Sequence, residues 1–470
     1  MPTLEQFDYM LTGQTVAALT AHQLLEPVEG PGGVVFPPTF APANKGEKGG
    51  YNVDPSSDGL SGGNVCIIDT VGAEANRIEP LFKPDKCDGK YAELVPQVNI
   101  KVRSTVPGKE REWTLNLLDA GHRAGDAIIR FTPLGEQIFE AFKAYTETGN
   151  AQQLARLAPT SLVFGVWDSR GTQEKIARIF RSVVRATNVI QLKRSAQYFR
   201  SVKYVEEGLA PERLNTGKDE ENPLSQEGFN DNPAGGAPGG VIVRGEIRRD
   251  MTINLSALRR LRVPSAEDVT KNDAEETLKL RRYILGLCLV AATAPSEDRY
   301  NLREGCQLRQ KPGSKTTWQK VHYEDDGSED THPLPDLKAT AYEYAKQTAN
   351  AFRVTNPPAT KFDSSIAEQW LGLPKTERDK RRSIAPMTKQ QFAAPGMQTV
   401  KGTIVSVLPD GAGIKLMPAG KNKQEMEVRF SGETKFVAND GSTISVTNLA
   451  AKNKVEIEHV NGVANSVALK

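Results

Sequence analysis

Residues 175–204 read KIARIFRSVVRATNVIQLKRSAQYFRSVKY, a run with eight Lys or Arg side chains and no Asp or Glu. The chain as a whole is balanced, with 60 basic against 58 acidic residues in 470, so this run is a local concentration of charge. Lys175, Arg178, Arg181 and Arg185 lie three or four apart, a spacing that predicts one side of a helix. Ile176, Ile179, Phe180, Val183 and Val184 would line the other side and dock that helix on a core. The continuation VIQLKRSAQYFRSVKY is strand-like and interleaves Lys193, Arg194, Arg200 and Lys203 with Tyr198 and Phe199. Cations that neutralise phosphates beside rings that stack on bases describe a single-strand nucleic-acid surface. A solvated helix face, with acidic partners elsewhere in the fold, accounts for the same pattern.

Around this run the chain reads as α+β. Strands are predicted at 98–103 and 112–119, helices at 134–148 and 151–158, then a buried strand, TSLVFGVW. GGVIVRGEIRRDMTINL predicts a strand pair carrying Arg244, Arg248 and Arg249, and EETLKLRRYILGLCLVAAT a strong helix. The order does not repeat a βαβ unit. Three stretches read as insertions or long loops: 29–64, rich in Gly and Pro; 205–240, with eight acids, two bases and GGAPGG; and 311–336, with EDDGSED. The acidic loops are candidates to mask the basic surface when no ligand is bound.

The texture changes near residues 385–398. A polar, basic, proline-marked linker gives way over 399–470 to short alternating segments such as KGTIVSVL, GIKLMP and KVEIEHV, separated by turn residues. That pattern predicts a small closed β-barrel of the oligonucleotide-binding or SH3-like sort. Residues 1–384 form the main body.

Several function classes find no support. No stretch approaches the roughly 20 apolar residues of a membrane span. The first twenty residues carry Glu5 and Asp8 without a basic region, so they predict an amphipathic helix, with Leu4, Phe7, Met10 and Leu11 on one face, rather than a secretory signal. Cys66, Cys87, Cys288 and Cys306 show no CxxC pairing, and Cys66 and Cys288 lie in apolar runs. Buried thiols in a reducing, cytoplasmic setting are expected, with no metal and no cofactor. P-loop, GxSxG, HExxH and EF-hand patterns are absent.

Three local motifs remain. In DAGHRAGDA, His122 sits near Asp119, Arg123 and Asp126, which suits either a general base or a helix cap at Asp119 followed by phosphate contacts from His122 and Arg123. GAEANRIEP follows the buried strand NVCIID; its small residues permit close helix packing, while Asn76 and Arg77 project polar groups for a ligand or simply for solvent. PTSLVFGVWDSRG ends in Trp167, Asp168, Ser169, Arg170 and Gly171. Asp168 or Ser169 is expected to cap the basic helix, and Trp167 reads as core rather than as a stacking platform.

Taken in order, GGVVFPPTFAP, NVCIIDTVGAEANRIEPLF, DAGHRAGDAIIR, PTSLVFGVWDSRG and YNLREGCQL resemble the backbone subunit of the type I-G (formerly I-U) CRISPR Cascade, the "Cas-seven" family of the RAMP superfamily. The resemblance covers about residues 20–310 and leaves the C-terminal barrel outside. It implies an RRM-like, ferredoxin-type palm with finger and thumb insertions. The implied role is non-catalytic: polymerising along a CRISPR RNA and holding the guide for pairing with target DNA, beside further copies of the chain and other Cascade subunits. A balanced chain with one basic stripe suits a protein that tracks a strand by its backbone while base pairing supplies specificity. The other reading is a target-RNA-cleaving RNase of the same superfamily, using a loop aspartate, Asp54 or Asp58. Both sit among Gly, Ser and Pro, where an ordinary turn role also fits.

Overall fold

The computed structural model describes residues 3–42, 49–55, 63–104, 106–214, 222–296, 300–323, 329–376, 378, 398–409, 411–419, 424–438, 442–460 and 463–469. The chain divides into two units, one of residues 1–130 with 137–361 and one of residues 131–136 with 362–470. Nearly all of the 385–398 linker lies outside the described residues.

The first unit mixes helices with an antiparallel sheet. Its strands are β1 (Val16–Pro27), β2 (Asn64–Asp69), β3 (Phe180–Thr187), β6 (Ile247–Asn254), β7 (Cys306–Gln310) and β8 (Thr317–Tyr323). Across the sheet the order is β7 and β8, end to end along one edge of β1, then β6, β3, β2 and the edge strand Val53–Pro55. Between β3 and β6 the chain makes a long ribbon of β4 (Val189–Tyr198) and β5 (Asn232–Val243). Helical segments connect β1 and β2 to β3, starting with α1 (Val71–Ile78), and α2 (Ala274–Thr293) connects β6 to β7.

The basic run is therefore strand where a helix was expected. On β3, Phe180, Ser182, Val184 and Ala186 are buried while Arg181 is exposed and Arg185 half-buried. β3 is hydrogen-bonded to β6 on one side and β2 on the other. That pairing, together with β-branched Val183, Val184 and Thr187, overrides a helical spacing of the arginines. The reverse occurs at 160–164, where TSLVF is a short helix between Pro159 and Gly165, whose φ of 78° ends it.

Other expectations change as well. The N-terminal helix is confined to Asp8–Thr12, because the next apolar run is β1. GGAPGG belongs to β5 rather than to a loop. Gly239 brings the backbone so close to Lys193 that a Cβ would sit 2.8 Å from its carbonyl carbon. The 311–336 stretch forms β8 and the paired strand Glu329–Leu334. Helices at Gly135–Thr148 and Gln152–Leu157, and strands at Asn99–Ser104 and Arg111–Asn116, lie close to their expected places.

α2 fills the covered side of the sheet, with Leu280 and Tyr283 through Ala292 buried. Asp273 caps it, accepting from the Glu276 amide at 3.0 Å. A Cβ at Gly286 would lie 2.9 Å from the Ala345 Cα, so glycine sets the close crossing with the helix Lys338–Phe352.

Charged groups also lie on that covered side. Arg249 of β6 is fully buried; its Nε donates to Glu74 Oε2 of α1 at 2.9 Å and to Ser182 Oγ of β3 at 2.9 Å. Its Nη1 donates to the carbonyl of Ala292, in the last turn of α2, at 2.7 Å. Glu74 also holds Arg77, which reaches Asp69 at 3.4 Å, and Asp69 pairs with Arg303 at 2.5 Å.

In the second unit, strands Gln398–Val407, Gly413–Pro418, Met426–Val437, Val463–Leu469 and Lys454–Val460 close a barrel in that order, around Ile404, Ile414, Leu416, Val428 and Ile457. Met426–Val437 and Val463–Leu469 run parallel; the other barrel pairings are antiparallel. Among the described residues no helix is long and apolar enough to cross a membrane.

Removing Arg249 leaves the fully buried Glu74 carboxylate with only the half-buried Arg77 against it. Arg249→Met is expected to cost about 3–5 kcal/mol in denaturant unfolding, and adding Glu74→Gln to recover part of it. A double variant no more stable than the single one would contradict this.

Candidate nucleic-acid interface

The loop after Asn116, the Gly165–Arg170 segment and the chain entering β3 together enclose a cleft of about 510 Å³. His122, Arg123, Trp167, Arg170, Lys175 and Arg178 line it, with Gly121 and Gly165 in its walls. Glycine is required at 165, where φ is 78° and a Cβ would lie 2.7 Å from Arg178 Cγ. The Trp167 strand pairs with Lys175–Ile176, placing Lys175 opposite Trp167 with its Nζ 4.7 Å from the indole centre. Trp167 is 52% exposed, which corrects the expectation of a core ring drawn from its apolar run. Asp168 caps a turn instead of a helix, accepting from the Thr172 amide at 2.6 Å.

Arg123 forms part of the cleft wall but is itself buried. Its Nε contacts Glu79 at 2.7 Å, Nη1 donates to the Gly165 carbonyl at 3.2 Å and Nη2 to Asn76 Oδ1 at 3.2 Å. Asn76 is exposed but spends its carbonyl on this bond. Burial pushes the Glu79 carboxyl up to about 7, against the opposing pull of Arg123. His122 is 80% exposed and 3.5 Å from Asp126. Asp119 caps no helix: it ends the turn Leu117–Asp119 and pairs with Lys83 at 3.0 Å, and the helices that follow are the short Arg123–Gly125 and Ala127–Arg130.

Arg170, Lys175, Arg178 and Arg181 are all exposed, and among the described residues none of them has a carboxylate partner. Burial and the nearby cations Arg123 and Arg181 hold the Arg178 guanidinium below its ordinary pKa. Such crowding of like charges favours an anion. On the open face of the sheet, Asp250 binds His22 at 2.7 Å, Arg248 at 2.8 Å and Arg185 at 3.9 Å. The register places Val183, Asp250 and His22 side by side across β3, β6 and β1. Arg185 and Arg248 are thus on the open face but shared with a carboxylate.

The other expected contacts separate into three groups. Arg77 and Arg249 belong to the buried network, so the reading of them as surface ligands is corrected; composition does not distinguish a buried arginine from an exposed one. Lys193 and Arg194 are exposed on the β4–β5 ribbon, with Arg194 5.9 Å from the Phe36 ring centre, and Arg244 is exposed in the turn before β6. Further out, Phe199 is 68% exposed and Tyr198 donates to the Gly228 carbonyl at 3.1 Å. Arg200 pairs with Glu206 at 3.4 Å and Lys203 with the same carboxylate at 3.0 Å, so an acid of the 205–240 stretch does neutralise part of the run.

Sequence reasoning missed His22 and Asp250, which are 228 residues apart and meet only through strand register. Asp54 lies exposed on the edge strand Val53–Pro55, and Asp58 is outside the described residues. Among the described residues no group of three or more His, Cys, Asp or Glu side chains could hold a metal ion.

Residues 19–191 match the family model described as CRISPR-associated protein GSU0053 (Cas_GSU0053). Over these residues the chain is similar to a CRISPR-associated family, and the matched segment contains the whole cleft. No curated protein matches the chain.

Glu79 links this wall to pH. Its native carboxyl holds the proton more tightly than an ordinary glutamate, which titrates near 4.5 in the unfolded chain, so the stability it lends is present below about pH 4.5 and is lost as pH rises to about 7. Glu79→Gln should flatten that decline, a difference of at most about 3 kcal/mol. Denaturant unfolding of both proteins at pH 5 and 7.5 reads it; identical pH slopes would contradict it.

Proposed function

We propose that this chain is a non-catalytic, CRISPR RNA-binding backbone subunit of a type I-G Cascade, acting in the cytoplasm. It would oligomerise along the guide RNA with further copies of itself and other Cascade subunits, and support guide-directed binding of target DNA. The observation that carries the reading is the cleft in the CRISPR-associated segment, where Trp167 is exposed beside Arg170, Lys175 and Arg178 and none of these cations is paired with a described carboxylate. Rings for bases and unpaired cations for phosphates are what backbone-tracking single-strand binding needs.

The sheet supports it too. Counting β1, β3, β6 and the β7/β8 edge as four strands gives the order four-one-three-two, with helical connections from the first to the second and from the third to the fourth. That order supports reading this unit as a ferredoxin-like, RRM-type palm, with β2 and the edge strand Val53–Pro55 added beyond it and the β4–β5 ribbon as a finger. The five-stranded barrel, with a single parallel pair, has an oligonucleotide-binding-type order. None of its described residues is an exposed aromatic, and Arg429 and Lys415 have carboxylate neighbours in Glu427 and Glu425. The barrel is therefore read as a docking module rather than as the main RNA site.

Arg170→Glu, Lys175→Glu and Arg178→Glu together should weaken single-stranded RNA binding by a similar factor for every sequence. The slope of log affinity against log salt should fall by about two. Trp167→Ala should cost about 1–3 kcal/mol. Fluorescence anisotropy across a salt series checks both; wild-type affinity and slope in the triple variant would reduce the cleft to a solvated surface.

A further inference from the structure

We propose that the two-stranded ribbon of residues 99–116 is a second single-strand nucleic-acid contact, separate from the cleft. Its strands Asn99–Ser104 and Arg111–Asn116 pair antiparallel, and the short strand Thr360–Lys361 pairs in parallel at the inner end. Beyond that end the ribbon is uncovered. Lys101, Arg103, Lys109, Arg111 and Trp113 are all exposed.

The side chains have no structural use of their own. Lys101, Arg103, Lys109 and Arg111 have no carboxylate partner among the described residues, although Glu110 and Glu112 lie on the same ribbon. Lys361 stands in register with Lys101, adding a cation on that face. On the opposite face the Arg111 guanidinium lies 4.6 Å from the Trp113 ring centre, a cation stacked on an exposed indole. A ribbon in water gains no core from a tryptophan 38% exposed and a valine, Val106, 55% exposed.

The pattern repeats that of the cleft, an exposed Trp under a cation with unpaired cations around it, on an element outside the 175–204 run. The ribbon leads through Leu117–Asp119 directly into the loop bearing His122, so both contacts are rooted in one stretch of chain. A strand laid on the Trp113 face would stack a base on the Arg111–Trp113 pair and set its phosphates against Arg111 and Lys109, while Lys101, Arg103 and Lys361 on the opposite face add longer-range attraction. Sharing the ligand class of the cleft, the inference rests on that reading for the choice of nucleic acid, but its test is separate.

Full-length protein, purified free of nucleic acid, is titrated with a labelled oligouridine or oligothymidine strand. The wild type is expected to fill in two phases. Lys101→Glu, Arg103→Glu and Arg111→Glu together should weaken one phase about tenfold and lower its salt slope by about two, leaving the other intact. The cleft triple variant should affect only the other phase. Failure of the cleft variant to change binding would count against the cleft alone. Intrinsic fluorescence gives a second arm that needs no charge reversal. Trp318 and Trp370 are buried, so quenching by the strand in Trp167→Phe reports Trp113 and should vanish in Trp167→Phe/Trp113→Phe. Wild-type binding in the ribbon variant, or no quenching in Trp167→Phe, would overturn the inference and leave the ribbon to an acidic protein partner.

Discussion

Arg249 is a fully buried guanidinium in the second-to-central strand of the sheet, and its bonds fix which way that sheet faces. It joins α1 through Glu74, β3 through Ser182 and the end of α2 through Ala292. A buried charge is tolerated only where its donors are satisfied, and here the partners come from three separate elements. Because side chains alternate along a strand, holding Arg249 inside puts Arg248 and Asp250 outside. The register then sends Arg185 and His22 to the same open face, and Val184 and Gln23 to the covered one. A slip of one residue would reverse this assignment and bury the exposed arginines.

The arginines and lysines of the first unit thus fall into distinct roles. Arg249, Arg77 and Arg303 hold α1 and the strand edges together, and Arg123 braces the cleft wall through Glu79, Gly165 and Asn76. Arg185 and Arg248 share Asp250. Arg170, Lys175, Arg178 and Arg181 remain uncommitted among the described residues, and the first three line the cleft with the exposed Trp167. It is the rigid placement of the first set that gives the last set a fixed geometry. An anion bound there pays little for organising its ligands.

The density of charge at 175–204, the strong α2 helix and the separate texture of residues 399–470 were legible from residue order alone. The conformation of the basic run was not. Its arginines are spaced as on a helix, and only pairing with β6 and β2, both distant in sequence, makes it a strand. TSLVF failed in the opposite sense: a short apolar run carries no period, and Pro159 and Gly165 were the informative residues. Trp167 shows the same limit, since an apolar neighbourhood in sequence gave no sign that its own ring faces the cleft. His22 with Asp250 is a contact of register and Glu74 with Arg249 one of helix-on-sheet packing, and the ribbon at 99–116 was legible as strands while residue order alone does not show which of its cations lack a carboxylate.

The central claim is that single-stranded RNA lies in the cleft beside Trp167. Photo-cross-linking with 4-thiouridine-substituted RNA, followed by peptide mass spectrometry of the full-length protein, reads the contact directly. The account predicts cross-linked peptides from residues 165–185, with Trp167 or its immediate neighbours as the modified positions. Cross-links confined to the barrel at 398–470, with none in the cleft, would contradict it.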